Sequence, residues 1–461
     1  MILLKILPTP IRTIPQVILG DFSKLDCDSH AITSNVQFRT FMIRNIVLFL
    51  FVIFLSHCSN GNISNNCDVN SDSFLNSLLL RFAVNDRSYL CGYKVRIPAC
   101  SLGYEETHLP ENWVQVKQEV ETQFALGSSG PETLTNYNGN TVASVVGTAS
   151  TVFQGALSAP NGNVYLLPYN SPKIVAIDPK TKTYDLAVTV QGAVDFIGGT
   201  LGPNGIIYLS PHTNNSFFKF DTTNKTLTNI ASISMGGAAY NGGVFAPNGK
   251  IYYVPSGEST IRYYDTKKGT IGSVTTPVSG GIFANGVLTP EGKIYFIPHT
   301  ATYIHILDTF TETVTTIPFS FGGASNYISG IYTPNGRIYI IPYNAATLYY
   351  VDTKDNDNVV NAGTIPSAST AMFNGVVLAP NGKLYPIPLN YANFISIDSN
   401  TSQIKVLMPN PSVNSYRGGA IGQNGEIYLS PHSANRFDLL DTKSIGSFCD
   451  SVRLSPYWNK F

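Results

Sequence analysis

The chain has 461 residues, and its 29 Lys and Arg residues are matched by 29 Asp and Glu residues, so that the formal net charge is zero. Only 13% of the residues are charged, against about 25% in an ordinary soluble domain. A neutral chain without a basic stripe excludes nucleic acid as a partner. A hydrophobic fraction of 43%, with 39 Gly and 28 Pro, excludes disordered and collagen-like chains and favours short strands joined by many turns.

An apolar segment near the amino terminus predicts export. Residues 46–55 (IVLFLFVIFL) follow the basic Arg44. The segment is too short to cross a bilayer, which takes about 20 apolar residues in a helix. A short apolar segment behind a basic residue is typical of a secretory signal. We therefore interpret residues 42–58 as a signal peptide and expect translation to begin at Met42, with residues 1–41 a misannotated upstream segment.

The end of this signal resembles the lipobox of bacterial lipoproteins of the spirochaete type, since it runs Leu55-Ser56-His57-Cys58. The resemblance implies that Cys58 carries lipid. It also implies that the protein is exported and anchored in the bacterial cell envelope, at the outer membrane or cell surface. The alternative is a hydrophobic anchor or a cleaved signal without lipid.

Residues 59–140 predict a helical, Cys-bearing extension and linker. Apolar residues at helical spacing favour helices over 73–82 and 111–124, whereas residues 127–140 have the Gly, Ser, Thr and Asn composition of a linker. Four cysteines of an exported chain are disulfide candidates whose pairing stays open, or they are free thiols. These cysteines are Cys67, Cys91, Cys100 and Cys449.

Residues 153–441 contain seven copies of one unit, aligned on the Gly of a turn that usually reads Pro-Asn-Gly. Successive copies are 43, 44, 43, 44, 46 and 43 residues apart. An aromatic residue precedes each Gly, and a Tyr, a Pro and an Asp follow it at fixed distances. The seven turn glycines are Gly162, Gly205, Gly249, Gly292, Gly336, Gly382 and Gly425.

Each unit predicts four antiparallel strands. In the third copy Asn248-Gly249 lies between apolar segments, which is a strong hairpin signal, and Asp265 can cap the turn after the third strand. Four strands per repeat, seven times over, are typical of an all-β, seven-bladed β-propeller, which we place at residues 141–450, with 451–461 as a tail. We expect Thr141–Val146 to form a strand that completes the seventh blade.

The repeated unit Ala-Pro-Asn-Gly-Lys-Ile-Tyr, followed by Pro and later by Asp, resembles the NHL and streptogramin-lyase-like propeller repeats. The resemblance extends over about two thirds of the chain and supports the propeller. It supports the fold more than any enzyme activity, because the acidic turn common in those repeats is mostly replaced here by Pro-Asn-Gly.

Two sets of variable positions are candidates for a site at the mouth of the central channel, because they differ among copies whose neighbours repeat. The first set, after the repeated Pro, is Tyr169, His212, Ser256, His299, Tyr343, Leu389 and His432. The second set, after the repeated aromatic residue, is Gln154, Ile197, Asn241, Ala284, Ile328, Asn374 and Arg417.

The second set supplies the candidate ligand-binding residues, which are Gln154, Asn241, Asn374 and Arg417. The first set supplies the candidate catalytic residues His212, His299 and His432, for which bonding within the loops is the alternative interpretation. Asp195 is the lone acidic residue near the mouth. We expect no metal, because histidines of separate blades would have to converge on one ion, and no cofactor.

Two functions fit these features. The first is a monomeric, non-enzymatic binding scaffold for a protein, peptide or glycan ligand, held at the membrane by its lipid. The alternative is a periplasmic or surface lyase or hydrolase that uses the histidines at the channel mouth.

Overall fold

The described part of the chain forms seven antiparallel sheets, which confirms the predicted all-β, seven-bladed propeller. The computed structural model describes residues 128–148, 150–159, 161–190, 195–275, 282–318 and 326–444, and the backbone of 459–460. The predicted signal, the lipid-attachment residue and all four disulfide candidates lie outside these residues. No helix of the described residues has the length and apolar character needed to span a membrane.

The first three blades follow one another without interruption. Blade one consists of β2 (Phe153–Ser158), β3 (Val164–Pro168), β4 (Lys173–Asp178) and β5 (Thr183–Thr189). Blade two consists of β6 (Phe196–Leu201), β7 (Ile206–Pro211), β8 (Ser216–Asp221) and β9 (Thr226–Ser232), with a 3-10 turn at Pro203–Gly205. Blade three consists of β10 (Tyr240–Phe245), β11 (Lys250–Pro255), β12 (Arg262–Asp265) and β13 (Thr270–Ser273).

The remaining blades continue this order. Blade four consists of β14 (Phe283–Leu288), β15 (Lys293–Pro298), β16 (Tyr303–Asp308) and β17 (Thr313–Pro318). Blade five consists of β18 (Tyr327–Tyr332), β19 (Arg337–Pro342), β20 (Thr347–Asp352) and β21 (Asn358–Thr364). Blade six consists of β22 (Phe373–Leu378), β23 (Lys383–Pro388), β24 (Asn393–Asp398) and β25 (Ile404–Pro409). Blade seven contains β26 (Tyr416–Ile421), β27 (Glu426–Pro431) and β28 (Asp438–Asp441).

The fourth strand of blade seven comes from the beginning of the described chain. Strand β1 (Thr133–Asn136) pairs antiparallel with β28, in a register that sets Thr133 against Asp441 and Asn136 against Asp438. The amino-terminal segment therefore closes the ring, and the strand lies within the segment that the sequence indicated as a linker.

The strand predicted at Thr141–Val146 is wrong, because Val142–Val146 forms a short helix, α1. The Thr141 hydroxyl accepts a hydrogen bond from the backbone N–H of Ser144, and Gly147 ends the helix in the left-handed conformation at φ 81°. Both are ordinary helix-end features. They outweigh the strand preference of Val142, Val145 and Val146, two of which the helix buries.

In five blades the Asn of the repeated turn also fastens its blade to the next. The Asn424 side-chain amide in blade seven donates hydrogen bonds to the Tyr428 hydroxyl (3.0 Å) and to the Pro179 carbonyl oxygen in blade one (2.9 Å). Asn161 makes the same pair of bonds to Tyr165 and to Thr222 in blade two. Since a buried polar group needs a partner, these contacts explain why the turn Asn and the buried Tyr repeat together.

The repeated Asp caps its turn, as the sequence predicted. In blade three the Asp265 carboxylate accepts hydrogen bonds from the backbone N–H groups of Lys267 and Lys268, both at 3.0 Å. The next residue, Thr266, donates its hydroxyl hydrogen to the carbonyl oxygen of the turn glycine Gly249 at 2.6 Å. The hairpin turn and the Asp turn are thereby locked to each other within one blade.

The first strands of successive blades lie side by side and enclose a central channel. One further short strand, β29 (Asn459–Lys460), lies among these inner strands and pairs antiparallel with β22 on its channel side. The apolar core lies between the blades rather than around the channel: Phe217 of blade two, for example, packs on Tyr253 of blade three with ring centroids 4.8 Å apart.

Candidate functional site

The channel mouth is shaped by a β-bulge at the start of each inner strand. In blade seven Tyr416 is paired with Pro431, but pairing resumes only at Gly419 with Leu429. The residue after the repeated aromatic therefore lies outside the hydrogen-bonded register, and a bulge of this kind redirects a side chain. The seven residues at this position are Gln154, Ile197, Asn241, Ala284, Ile328, Asn374 and Arg417.

These seven positions divide into a polar and a largely apolar sector. Asn374, Arg417 and Gln154 belong to blades six, seven and one, which are consecutive in the closed ring. We call these three residues the polar arc. Of the other four positions, three carry Ile197, Ala284 and Ile328, and Asn241 in blade three is the polar exception. The structure thus places three of the four predicted ligand-binding residues on neighbouring blades, with Arg417 and Gln154 in direct contact, and sets the fourth apart.

Arg417 is the central residue of the polar arc. Its Nη1 atom donates a hydrogen bond to Gln154 Oε1 at 3.0 Å, across the seam between blades seven and one. Its Nε atom is buried and has no hydrogen-bond partner among the described residues. Burial lowers the pKa of Arg417 from its usual value, although the neighbouring Tyr343 and Tyr169 phenols act in the opposite direction. The group stays protonated near neutral pH, because an Arg side chain does not lose its proton there.

His432 lies next to this guanidinium and is almost fully buried. Its Nδ1 atom lies 3.2 Å from the Phe153 carbonyl oxygen, which can only accept a hydrogen bond, so Nδ1 carries the proton. Burial and the Arg417 charge lower the pKa of His432 to about 4, against the weaker opposing effect of that hydrogen bond. The imidazole is therefore neutral at pH 7, with Nε2 as an acceptor.

His212 is the second histidine with an ionisable neighbour. Its Nδ1 atom is 3.4 Å from Asp195 Oδ1, and the other carboxylate oxygen of Asp195 accepts a hydrogen bond from the Thr213 hydroxyl. Burial lowers the pKa of His212 more than the Asp195 carboxylate raises it. A neutral imidazole beside a carboxylate is the arrangement that a general base requires.

His299 and Asn241 are engaged with the following blade. His299 Nδ1 lies 2.6 Å from the Tyr327 carbonyl oxygen in blade five, and its ring meets the Tyr343 ring edge to face at 5.6 Å. The Asn241 amide donates hydrogen bonds to the Ser256 hydroxyl (3.2 Å) and the Phe283 carbonyl oxygen (3.1 Å). Both side chains thus contribute to seams between blades.

The three histidines occupy blades two, four and seven and have separate partners. Within the described ranges, no group of three or more His, Cys, Asp and Glu side chains is arranged to hold a metal ion.

The sequence indicated the two variable sets but not how their members pair. Asp195 was recognised as an acid near the mouth, but its contact with His212 was not predicted. A repeated backbone bond brings them together: the residue after each repeated Pro donates its N–H to the carbonyl oxygen of the residue before the repeated aromatic, as His212 does to Asp195 (3.1 Å) and His432 to Ser415 (2.8 Å).

Comparisons with known proteins support the architecture. No protein-family model and no curated protein matches the sequence. Among solved structures, a streptogramin B lyase superposes with a TM-score of 0.57 at 14% identity, covering 67% of this chain and 97% of that one. A catalytically inactive virginiamycin B lyase from Staphylococcus aureus with quinupristin gives 0.55 at 14% identity, covering 67% and 98%. Kuenenia stuttgartiensis hydrazine synthase gives 0.53 at 14% identity, covering 65% and 97%.

Likeness at this level of identity concerns the fold. The chain is a seven-bladed β-propeller that is structurally similar to streptogramin B lyase.

Proposed function

We propose that the protein is a non-enzymatic binding scaffold whose propeller binds a protein, peptide or glycan ligand at the channel mouth. One observation carries this proposal: Asn374, Arg417 and Gln154 form a contiguous polar arc on a ring whose other variable positions are mainly apolar. Residues that differ from copy to copy at equivalent positions are typical of a site placed on a symmetric scaffold. Concave sites that combine a few placed polar groups with apolar surroundings are typical of ligand binding.

The residues around the arc support binding rather than turnover. His432 and His299 bond to carbonyl oxygens of the next blade, and Arg417 is held by Gln154. A group that transfers protons works best when its pKa is near the working pH, whereas the pKa of His432 is lowered to about 4. These contacts suit a preformed recognition surface.

Asn241 in blade three and Arg417 in blade seven provide a binding test. Purified full-length protein is applied to glycan and peptide arrays, and any ligand found is then measured with the double variant Asn241→Ala, Arg417→Ala. We expect its affinity to fall at least about 10-fold, the usual effect of losing one charged contact. Asn229→Ala, on the exposed outer strand β9, is the matched control and should bind normally. Unchanged binding by the double variant would move the ligand away from the channel mouth.

The second candidate function, a lyase or hydrolase, is favoured by the contact between His212 and Asp195. The solved structures that resemble this fold include lyases, such as a virginiamycin B lyase with quinupristin. The joint variant His212→Ala, His299→Ala, His432→Ala tests this function. An enzyme should lose turnover in that variant, while His212→Ala alone should cause most of the loss because it removes the only one of the three with a described carboxylate contact.

We further propose that the propeller is displayed on the cell envelope through lipid on Cys58, on the strength of the segment Leu55-Ser56-His57-Cys58. Metabolic labelling with a fatty acid followed by purification should label the unchanged protein and leave Cys58→Ala unlabelled. Label retained by Cys58→Ala would reject lipidation at this residue.

A further inference from the structure

One edge of the Arg417 guanidinium has no bound partner in the part of the chain that the structure describes. Nη1 is held by Gln154 at 3.0 Å, whereas Nε is buried and unpaired, and no hydrogen bond of Nη2 occurs among the described residues. The Nε and Nη2 atoms present two parallel N–H donors, the arrangement that pairs with two oxygens of a single anionic group. Within the described residues, one end of the guanidinium is thus fixed and the other end is available.

Among the described residues, no carboxylate forms an ion pair with Arg417. The nearby groups that affect its charge are the phenols of Tyr343 and Tyr169. Arg417 is partly buried, and a charge withdrawn from water without an opposite charge is costly. A binding partner that supplies one negative charge would remove this cost.

The surroundings match a single negative charge. His432 is neutral at pH 7, so it adds no second positive charge beside Arg417. The other two residues of the polar arc, Asn374 and Gln154, are uncharged. A carboxylate carries one charge and is planar, as the guanidinium edge is, whereas a phosphate monoester carries about 1.5 to 2 charges at neutral pH.

We infer that the polar arc is a carboxylate-binding site in which Arg417 Nε and Nη2 bind both oxygens of an acidic ligand group. This inference rests on the proposed binding function and names the ligand class as acidic, either an acidic glycan or a peptide carboxylate. Gln154 positions the guanidinium, and the aromatic rings of Tyr169 and His432, whose centroids are 6.0 Å apart, lie beside it.

The test measures thermal unfolding of the full-length protein with small probes at constant ionic strength. The probes are benzoate, its neutral analogue benzamide, and inorganic phosphate. A ligand that binds only the folded state raises the unfolding midpoint. We expect benzoate to raise it by roughly 2–4 °C near saturation, and benzamide and phosphate to have much smaller effects. Arg417→Gln, which removes the charge at similar size, should abolish the benzoate shift, and Asn229→Ala should keep it.

The outcomes separate this inference from the binding function. A benzoate shift that persists in Arg417→Gln, an equal shift with benzamide, a larger shift with phosphate, or no shift at all would each overturn the carboxylate site. A benzoate shift confined to proteins that retain Arg417 supports it, even if no array ligand is found. Uronic-acid oligosaccharides and peptides with a free carboxyl terminus, each against its ester or amide, then distinguish the two sources of the carboxylate.

Discussion

Arg417 and Gln154 form a hydrogen bond of 3.0 Å that joins the inner strands of blades seven and one. These are also the two blades at which the ring closes, because blade seven takes its outer strand from the amino-terminal segment Thr133–Asn136. The bond therefore positions a binding residue and also links the seam where the two ends of the propeller meet.

Replacing Gln154 should affect folding and binding in a predictable way. In Gln154→Ala a partly buried, charged donor of Arg417 loses its acceptor, so we expect the free energy of unfolding to fall by about 1–3 kcal/mol. In Gln154→Glu the new carboxylate lies against the guanidinium and should compete with acidic ligands. Urea unfolding measures the first effect, and the benzoate shift measures the second. Equal benzoate shifts in Gln154→Glu and the unchanged protein would contradict the arrangement.

The titration of His432 gives a prediction in the weakly acidic range. Because its pKa is lowered to about 4 in the folded state, below the usual value of about 6.5, the unfolded state binds more protons between these values. This residue therefore stabilises the fold fully above about pH 6.5, and that contribution declines as the pH falls towards 4.

Nuclear magnetic resonance of labelled histidine measures this directly, with His432→Gln to assign the resonance. We expect the His432 imidazole to remain neutral at about pH 5.5. In Arg417→Gln its pKa should rise, since the guanidinium charge is one of the two causes that lower it. A normal pKa for His432 in the unchanged protein would contradict the buried position.

The seam between blades seven and one also depends on Asn424. Asn424→Ala removes hydrogen bonds to Tyr428 and to the Pro179 carbonyl oxygen, after which, among the described residues, that oxygen keeps only its 3.3 Å bond from the Tyr428 hydroxyl. We expect the protein to lose about 1–3 kcal/mol of its free energy of unfolding in urea. The surface variant Asn229→Ala should change it by less than about 0.5 kcal/mol. Similar values for the two variants would show that the turn Asn does not fasten the blades.

The bulge that presents Arg417 requires the glycine after it. Gly418 has φ 87°, where a side chain is strained, so Gly418→Ala should cost about 1–2 kcal/mol. Gly382 has φ 78° in the blade-six turn, and an added Cβ there would meet only the Ser399 hydroxyl oxygen at 3.9 Å. Gly382→Ala should therefore cost a similar amount. Only Gly418→Ala should also reduce the benzoate shift. An equal reduction in both variants would show that the bulge does not position Arg417 for binding.

The sequence predicted the blades well because their main determinants are local. Asn248-Gly249 specifies a hairpin and Asp265 caps a turn through bonds to residues only two and three positions away. Repetition of such short-range features defines the strands and their number without any knowledge of tertiary packing.

The closing strand and the polar arc depend on contacts that short-range patterns do not specify. Thr141–Val146 has the β-branched composition of a strand, but the cap at Thr141 and the glycine at 147 make it a helix. Likewise, the bond between Arg417 and Gln154 joins residues 263 positions apart and depends on a bulge in each of two strands. The variable positions could be found from the sequence, whereas their pairing needs the closed ring.

Blade seven is built from strands that lie far apart in the chain, and this affects the order in which the chain folds. Ser129 and Lys443, which bond beside the closing strand, lie 314 positions apart, so the amino-terminal strand is made long before its partner. Contacts this distant in sequence form slowly, because a long loop must be closed first. During synthesis, strand β1 must therefore stay unpaired while blades one to six form. The first strand of the propeller to emerge thus waits for β28, and a complete chain in which β1 has not yet paired has an open ring with an unpaired edge on β28.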